Sequence, residues 1–191
     1  MLIAFEGPDK AGKSTSACNL SSSLPIYNAT KENYTETLQE MQGESKVVQC
    51  FDRIDWLTHM AYRLALPDHE WNDPRVRTVF AMPDTHLVFK LHERGLAGGI
   101  ADELYEIGTL ATVNDMYGHL ARFILDLNEQ RDWALFKTVT ILEVRNEGDE
   151  FSSRLVYFSS PVFKYIEVAK NTVRDDQTLL ELLQYEDSKR L

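Results

Sequence analysis

The chain is 191 residues long, 43% hydrophobic and 26% charged, with a formal net charge of −10. That length holds one domain with a substantial core, and no run approaches the roughly 20 apolar residues that span a bilayer. The acidic balance disfavours non-specific binding to duplex nucleic acid, which draws its affinity from Lys and Arg neutralising phosphates, and Cys18 and Cys50 make neither a CxxC pair nor a disulfide framework.

In chain order, "MLIAFEG" reads as a first strand. It lacks a basic n-region and a cleavage site, so it is not a signal peptide, and a cytoplasmic location is expected. A glycine-rich turn follows, and Ser14 to Ser23 opens a helix. "PIYNAT" predicts a second strand, "ENYTETLQEM" a helix ending near Gly43, and "KVVQCFD" a strand with an acid at its C-terminal end. "WLTHMAYRLAL" is an amphipathic helix stopped before Pro67, and "PRVRTVFAM" predicts a short helix broken at Pro83. "THLVFKL" is a strand and "HERGLAGG" a glycine-bearing loop. Apolar spacing at Leu104, Ile107, Leu110 and Leu120 predicts a long helix from about Asp102 to Arg131. "KTVTILEV" is another strand. "RLVYFSS" and "VFKYIEV" read as two more, parted by Pro161, in a short antiparallel extension over about 145–191 that closes with a helix near "DDQTLLELLQYE".

Strands alternating with helices imply an α/β fold, a three-layer doubly wound parallel sheet in a single domain over 1–191. Such sheets bind ligands beyond the carboxyl ends of their strands, which places Gly7 to Thr15 and Asp52-Arg53 at one edge. Gly7-Pro8-Asp9-Lys10-Ala11-Gly12-Lys13-Ser14 satisfies the GxxxxGK[ST] pattern between a predicted strand and a predicted helix. Glycines at those positions let the backbone wrap so that successive N–H groups converge on phosphate oxygens; Lys13 reaches the outer phosphates and Ser14 holds Mg²⁺. An acid such as Asp52 at a neighbouring strand end can accept the proton of an attacking hydroxyl or hold magnesium through water, while Arg53 can grip an acceptor. "GLAGG" lacks the Lys-Ser/Thr that would make it a second phosphate loop, so a lid over about 92–103 is expected. The five histidines show no metal-ligand spacing, and His92 is the one to watch, at the lid edge.

"FEGPDKAGKST" resembles the opening of thymidylate kinases and related deoxynucleoside kinases, and "VVQCFDRIDW" resembles their strand ending in Asp-Arg-aromatic, with Ile54 where an aromatic is common. "LVFKLHERG" followed by "DELYEIGTLATVNDMYGHLA" is similar to the strand, lid and long helix of the same family, including Glu106 and Tyr117. The resemblance covers roughly 1–20, 46–65 and 85–143. It implies a P-loop kinase fold and transfer of the γ-phosphoryl group of ATP. By position, Gly7, Asp9, Lys10, Ala11, Gly12, Lys13, Ser14 and Thr15 would bind the nucleotide, Ser14 and Asp52 the magnesium, and Asp9 and Arg53 the acceptor. Lys10 matches a branch with a basic residue in the cradle and a lid poor in arginines. The only basic residues from His92 to Glu103 here are His92 and Arg94, so Lys10, with Arg94 as helper, would stabilise the transferring phosphoryl group.

The chain departs from thymidylate kinases between Ser16 and Lys46, which is too short for the usual acceptor clamp and contains no arginine. Candidates for a rebuilt acceptor site are Tyr27, Trp56, Tyr62, Arg63, Trp71, Arg75 and Arg77, with Arg63 favoured because small phage-type relatives place an arginine about one helix after Asp-Arg. The expected function is transfer of the γ-phosphoryl group of ATP to a deoxynucleotide, most simply a thymidylate-like monophosphate. The rivals are a kinase of a modified thymine (5-hydroxymethyluracil) within DNA and a nucleotide-binding pseudo-kinase or regulatory module. Expected cofactors are ATP and Mg²⁺; DNA enters only as a substrate, no membrane is involved, and a homodimer is an assembly open to the chain.

Overall fold

The computed structural model describes residues 1–41, 47–68, 79–97, 106, 108–130, 134–147, 150–160 and 173–189. In chain order these form β1 (Leu2–Glu6), α1 (Lys13–Leu20), β2 (Ile26–Ala29), α2 (Lys31–Met41), β3 (Gln49–Ile54), α3 (Asp55–Ala65), β4 (Met82–His92), α4 (Thr109–Gln130), β5 (Phe136–Glu147), β6 (Glu150–Ser159) and α5 (Asp176–Ser188). The sheet runs β2-β3-β1-β4-β5-β6. Its first five strands are parallel, and β6 returns antiparallel to β5.

Every residue of β1, LIAFE, is buried, as a central parallel strand covered on both faces requires. Strand alternation splits its side chains between two cores. Leu2 and Ala4 join Phe51, Leu87, Phe89 and Val139 beneath Leu57 and Ala61 of α3 and Val113, Tyr117 and Ile124 of α4. Ile3 and Phe5 join Cys50, Val88 and Leu142 beneath Ala17 of α1 and Leu179 and Leu183 of α5. The molecule is thus an α/β fold of three layers. Among the described residues no helix is long and apolar enough to cross a membrane.

Two expected boundaries move. The short helix expected over 74–82 lies mostly outside the described residues, and its described end is not helical: Val79 to Ala81 are irregular and Met82 already belongs to β4. Pro83 does not break an element here. It sits where β4 shifts register against β5, between Met82 and His86, and such an irregularity tolerates a residue without an N–H. The long helix begins at Thr109 rather than near Asp102, because Gly108 turns the chain with φ +94 and Glu106 before it is not helical. Residues 101–105 and the strand expected over 162–168 lie outside the described residues. β6 includes the expected "RLVYFSS" strand and extends it back to Glu150 in a hairpin with β5.

The C-terminal helix is fixed at both ends. Asp175 caps it, accepting from the Thr178 amide at 2.8 Å, with Thr178 returning the bond to complete a capping box. At the other end Asp187 meets buried His86 Nε2 at 3.0 Å and Lys137 Nζ at 2.7 Å, and His86 Nδ1 lies 2.8 Å from Thr138 Oγ1. Burial alone would raise the Asp187 carboxyl, but the bonds from His86 and Lys137 outweigh it and hold it down at about 2.

A depressed carboxylate contributes stability that is full above its unfolded value near pH 4 and is lost as the pH falls toward 2. Asp187→Asn is therefore expected to lose about 1 kcal/mol at neutral pH, discounted for its partial exposure. In urea unfolding the gap between variant and wild type should close between pH 4 and pH 2. Gly7 poses a harder constraint. It adopts φ +142, and a Cβ there would stand 2.1 Å from the Lys90 carbonyl oxygen of β4. Gly7→Ala should cost about 3 kcal/mol or more, read as a drop in the urea midpoint at unchanged m-value.

Candidate functional site

β1 ends at Glu6, and the loop from Gly7 to Gly12 carries the chain into α1 at Lys13. Lys10 (φ +62) and Gly12 (φ +72) take left-handed conformations, so the backbone reverses within a few residues, as a cradle of converging N–H groups demands. Lys13 is buried and donates to the Pro8 carbonyl at 2.5 Å across the loop. Burial, and then the charge of Arg53, lower its ammonium to about 8 despite the carboxylates of Asp9, Glu6 and Asp52.

β3 runs beside β1 with Asp52 paired to Phe5. This register brings Asp52 and Arg53 to the phosphate loop. Arg53 is itself left-handed (φ +76), an unusual state for a side-chain-bearing residue. It donates to the Gly7 carbonyl at 3.3 Å, the Tyr117 hydroxyl at 3.2 Å and the Asp9 carboxylate. Tyr62 completes the group, donating to the other Asp9 oxygen at 2.5 Å while its ring faces the guanidinium at 5.8 Å. Burial works to raise the Asp9 carboxyl, but the Tyr62 hydroxyl and the charges of Arg53 and Lys13 prevail and lower it. Beneath them Glu6 is fully buried, accepting from the Ile54 amide at 2.5 Å and from Thr58 at 3.0 Å; desolvation raises its pKa, and Arg53 opposes this.

Asp52 is different. It is 3% exposed, and its Oδ1 has no hydrogen-bond partner among the described residues. It opens on a cleft of about 410 Å³ shared with Lys10, Lys13, Ser14, Tyr27 and Arg53. Buried acceptors are almost always satisfied, and Asp52, which lines this cleft, has one oxygen that is not satisfied among the described residues. Ser14, exposed in the same cleft, adds a hydroxyl oxygen. Two hard oxygen donors beside a phosphate loop suit Mg²⁺, which keeps several waters and needs few protein ligands.

Of the expected site residues, Gly7, Asp9, Lys10, Ala11, Gly12, Lys13, Ser14 and Thr15 form the loop and its helix start, with Asp52 and Arg53 beside it. Three others are elsewhere. Trp56 is 4% exposed and packed into the core. Arg63 donates to the Pro67 carbonyl at 2.8 Å, at the far end of α3. Arg94 lines a separate cleft of about 440 Å³ between α4 and β5, with His119 and Arg122. Tyr27 lines the cleft beside Asp52 and Tyr62 is held by Asp9, while Trp71, Arg75 and Arg77 lie outside the described residues. His92, at the end of β4, meets the loop, its Nε2 2.9 Å from the Asp9 carbonyl oxygen, while residues 98–103 of the expected lid lie outside the described residues.

Lys90 is not among the site residues expected from the sequence. Its ammonium, buried on β4, donates to the Gly12 carbonyl at 3.2 Å and to Ser16 Oγ at 2.5 Å. The signal was present in "LVFKL": a lysine inside an apolar strand run of a sheet covered on both faces has to be satisfied by something internal. Asn28, left-handed at φ +50, lines the cleft beside Tyr27 and is likewise not among the expected residues.

No family model matches the chain, and no curated protein is significantly similar to it. Among solved structures, it is similar to the YorR protein of Bacillus subtilis, crystallised in complex with phosphorylated GDP, with 20% identity, coverage of 64% of this chain and 80% of that one, and a TM-score of 0.42. A second similarity, to a KaiC-like protein of the hyperthermophilic archaeon Pyrococcus horikoshii, has 9% identity, coverage of 83% and 79%, and a TM-score of 0.18.

Proposed function

We propose that the chain is an ATP- and Mg²⁺-dependent phosphotransferase that moves the γ-phosphoryl group of ATP to a deoxynucleotide, a thymidylate-like deoxynucleoside monophosphate. The observation that carries this reading is the Asp52 carboxylate, which lines one cleft with Lys13, Ser14 and the phosphate loop. A loop alone would bind a nucleotide; an acid set next to it supports transfer to a second molecule.

Lys13 and the loop amides anchor the β- and γ-phosphates. Ser14 and Asp52 would hold Mg²⁺, which when bound neutralises charge on those phosphates. Asp52 orients the acceptor oxygen for in-line attack on the γ-phosphorus and takes its proton where the acceptor is a hydroxyl; the bond to the β–γ bridging oxygen breaks and ADP leaves. Lys10 is exposed at the crest of the loop, with side-chain freedom to follow the charge as it moves. Arg53, engaged by Asp9 and Tyr117, shapes the acceptor side chiefly by fixing Asp9. Arg94 could assist only if the 93–97 turn brought it across from the cleft it lines.

One observation favours a second reading, transfer to a modified thymine within DNA. The described wall of the acceptor side is the short strand β2, where Tyr27 is 56% exposed, and so open a cleft admits a base presented by a polymer. Phosphoryl transfer from radiolabelled ATP to dTMP, to thymidine and to 5-hydroxymethyluracil-containing DNA, assayed side by side, tests both. Label in dTMP supports the first reading, label in DNA alone replaces it with the second, and ATP binding without transfer to any acceptor leaves a regulatory module. Asp52→Asn should lower kcat about 100-fold or more while nucleotide affinity stays within a few-fold; full activity would remove Asp52 from the chemistry.

The Lys13 ammonium, held near 8 in the empty protein, gains a polyphosphate partner on binding, which raises its pKa. ATP affinity is therefore expected to be full below about pH 8 and to fall as the pH rises beyond it, measured by fluorescent-nucleotide displacement from pH 6.5 to 9.5. Lys13→Met should bind weakly throughout and lose that slope.

A further inference from the structure

Lys90 is costly where it stands. It is 6% exposed, and among the described residues no carboxylate reaches it directly: Asp176 of α5 is linked only through Ser16, whose hydroxyl donates to Asp176 Oδ1 at 2.5 Å. Asn19 Nδ2 donates to the other Asp176 oxygen at 3.0 Å, so that carboxylate is shared. Burial accordingly lowers the pKa of the Lys90 ammonium, with Asp176 opposing. A buried cation without a direct counter-charge destabilises the empty protein, and an ammonium has three N–H donors. Gly12 and Ser16 take two; the third has no protein acceptor among the described residues.

Lys90 lines a cleft of about 380 Å³ with the cations Lys10 and Arg174, the acids Asp175 and Asp176, and Thr15. This cleft shares Lys10, Gly12 and Thr15 with the one that contains Asp52. The phosphate loop therefore lies between two openings. A nucleoside triphosphate laid along it with its terminal phosphate toward Asp52 extends its nucleoside toward Arg174, and the phosphate left beside Lys90 is the α-phosphate.

We propose that Lys90 is a nucleotide-binding residue that donates its third N–H to the α-phosphoryl group of the bound nucleoside triphosphate. It thereby joins that phosphate to the Gly12 carbonyl and, through Ser16, to Asp176 on α5. The proposal rests on the nucleotide-binding reading above and is independent of the acceptor and of transfer.

The test uses the full-length protein and the two diastereomers of adenosine 5′-(α-thiotriphosphate), titrated in EDTA so that no metal selects between them. A direct contact to one α-oxygen makes wild type prefer one diastereomer by several-fold. Lys90→Met, which keeps the apolar stem, should weaken ATP binding about tenfold, or about 1.4 kcal/mol, and bring the diastereomer ratio close to one. Lys90→Arg retains the buried charge and is the second variant, so the proposal stays testable if the Met variant is unstable in a thermal melt. It should bind ATP within a few-fold of wild type but with an altered ratio. Either variant retaining the wild-type ratio, or a wild-type ratio of one, overturns the direct contact and leaves Lys90 a brace. Wild type that binds neither diastereomer nor ATP, in EDTA or with Mg²⁺ restored, overturns the nucleotide reading itself, and this proposal with it.

Discussion

Arg53 is the constraint on which the site depends. It sits in the left-handed region at the end of β3, which costs a residue with a side chain on the order of 1 kcal/mol or more. Three interactions hold it there: the Gly7 carbonyl, the Tyr117 hydroxyl and the Asp9 carboxylate. Bonds to a charged group contribute about 1.5–3 kcal/mol each, so the strain is offset. The result couples four elements. β3 supplies Arg53, the phosphate loop Asp9, α3 Tyr62 and α4 Tyr117, and their relative positions are set by one guanidinium with limited freedom to move.

That coupling also fixes where Asp52 stands. It is the residue before Arg53, and once Arg53 is fixed its neighbour's direction is fixed too. Left to relax, a buried carboxylate would rotate toward the Lys13 ammonium or a backbone amide. Lys13 donates to the Pro8 carbonyl, and the Ile54 amide donates to Glu6. Two acidic residues consequently divide the labour. Glu6 satisfies the backbone behind the site, and Asp52 lines the cleft.

How much of this could be read beforehand depended on distance along the chain. The phosphate loop was legible because its requirements are local: glycines where φ is positive, a lysine and hydroxyls where a helix starts. The alternation of strands and helices was legible for the same reason, as was the edge that unites Asp52 with the loop. Helix and strand limits slipped where a single turn decided them, at Gly108 and at the register shift beside Pro83. The site's second layer was hidden by separation: Tyr117 lies 64 positions from Arg53, and Lys90 lies 78 from Gly12. A tyrosine or lysine in an apolar segment announces that it needs a partner; only the folded register says which one.

The cations around the loop then sort by burial, and burial sorts them by role. Lys10 is exposed, keeps its hydration, and can change position during a reaction at little cost. Lys13 and Lys90 are buried, and both bond to the loop's own carbonyls, Pro8 and Gly12. Each of these bonds fixes a loop carbonyl and so stabilises the loop's conformation. A protein with a net charge of −10 repels a polyphosphate at long range. Concentrating Lys10, Lys13, Arg53 and Lys90 around seven residues of backbone reverses that field locally, where low dielectric makes each charge count most. The acids Glu6, Asp9 and Asp176 balance that cluster of cations.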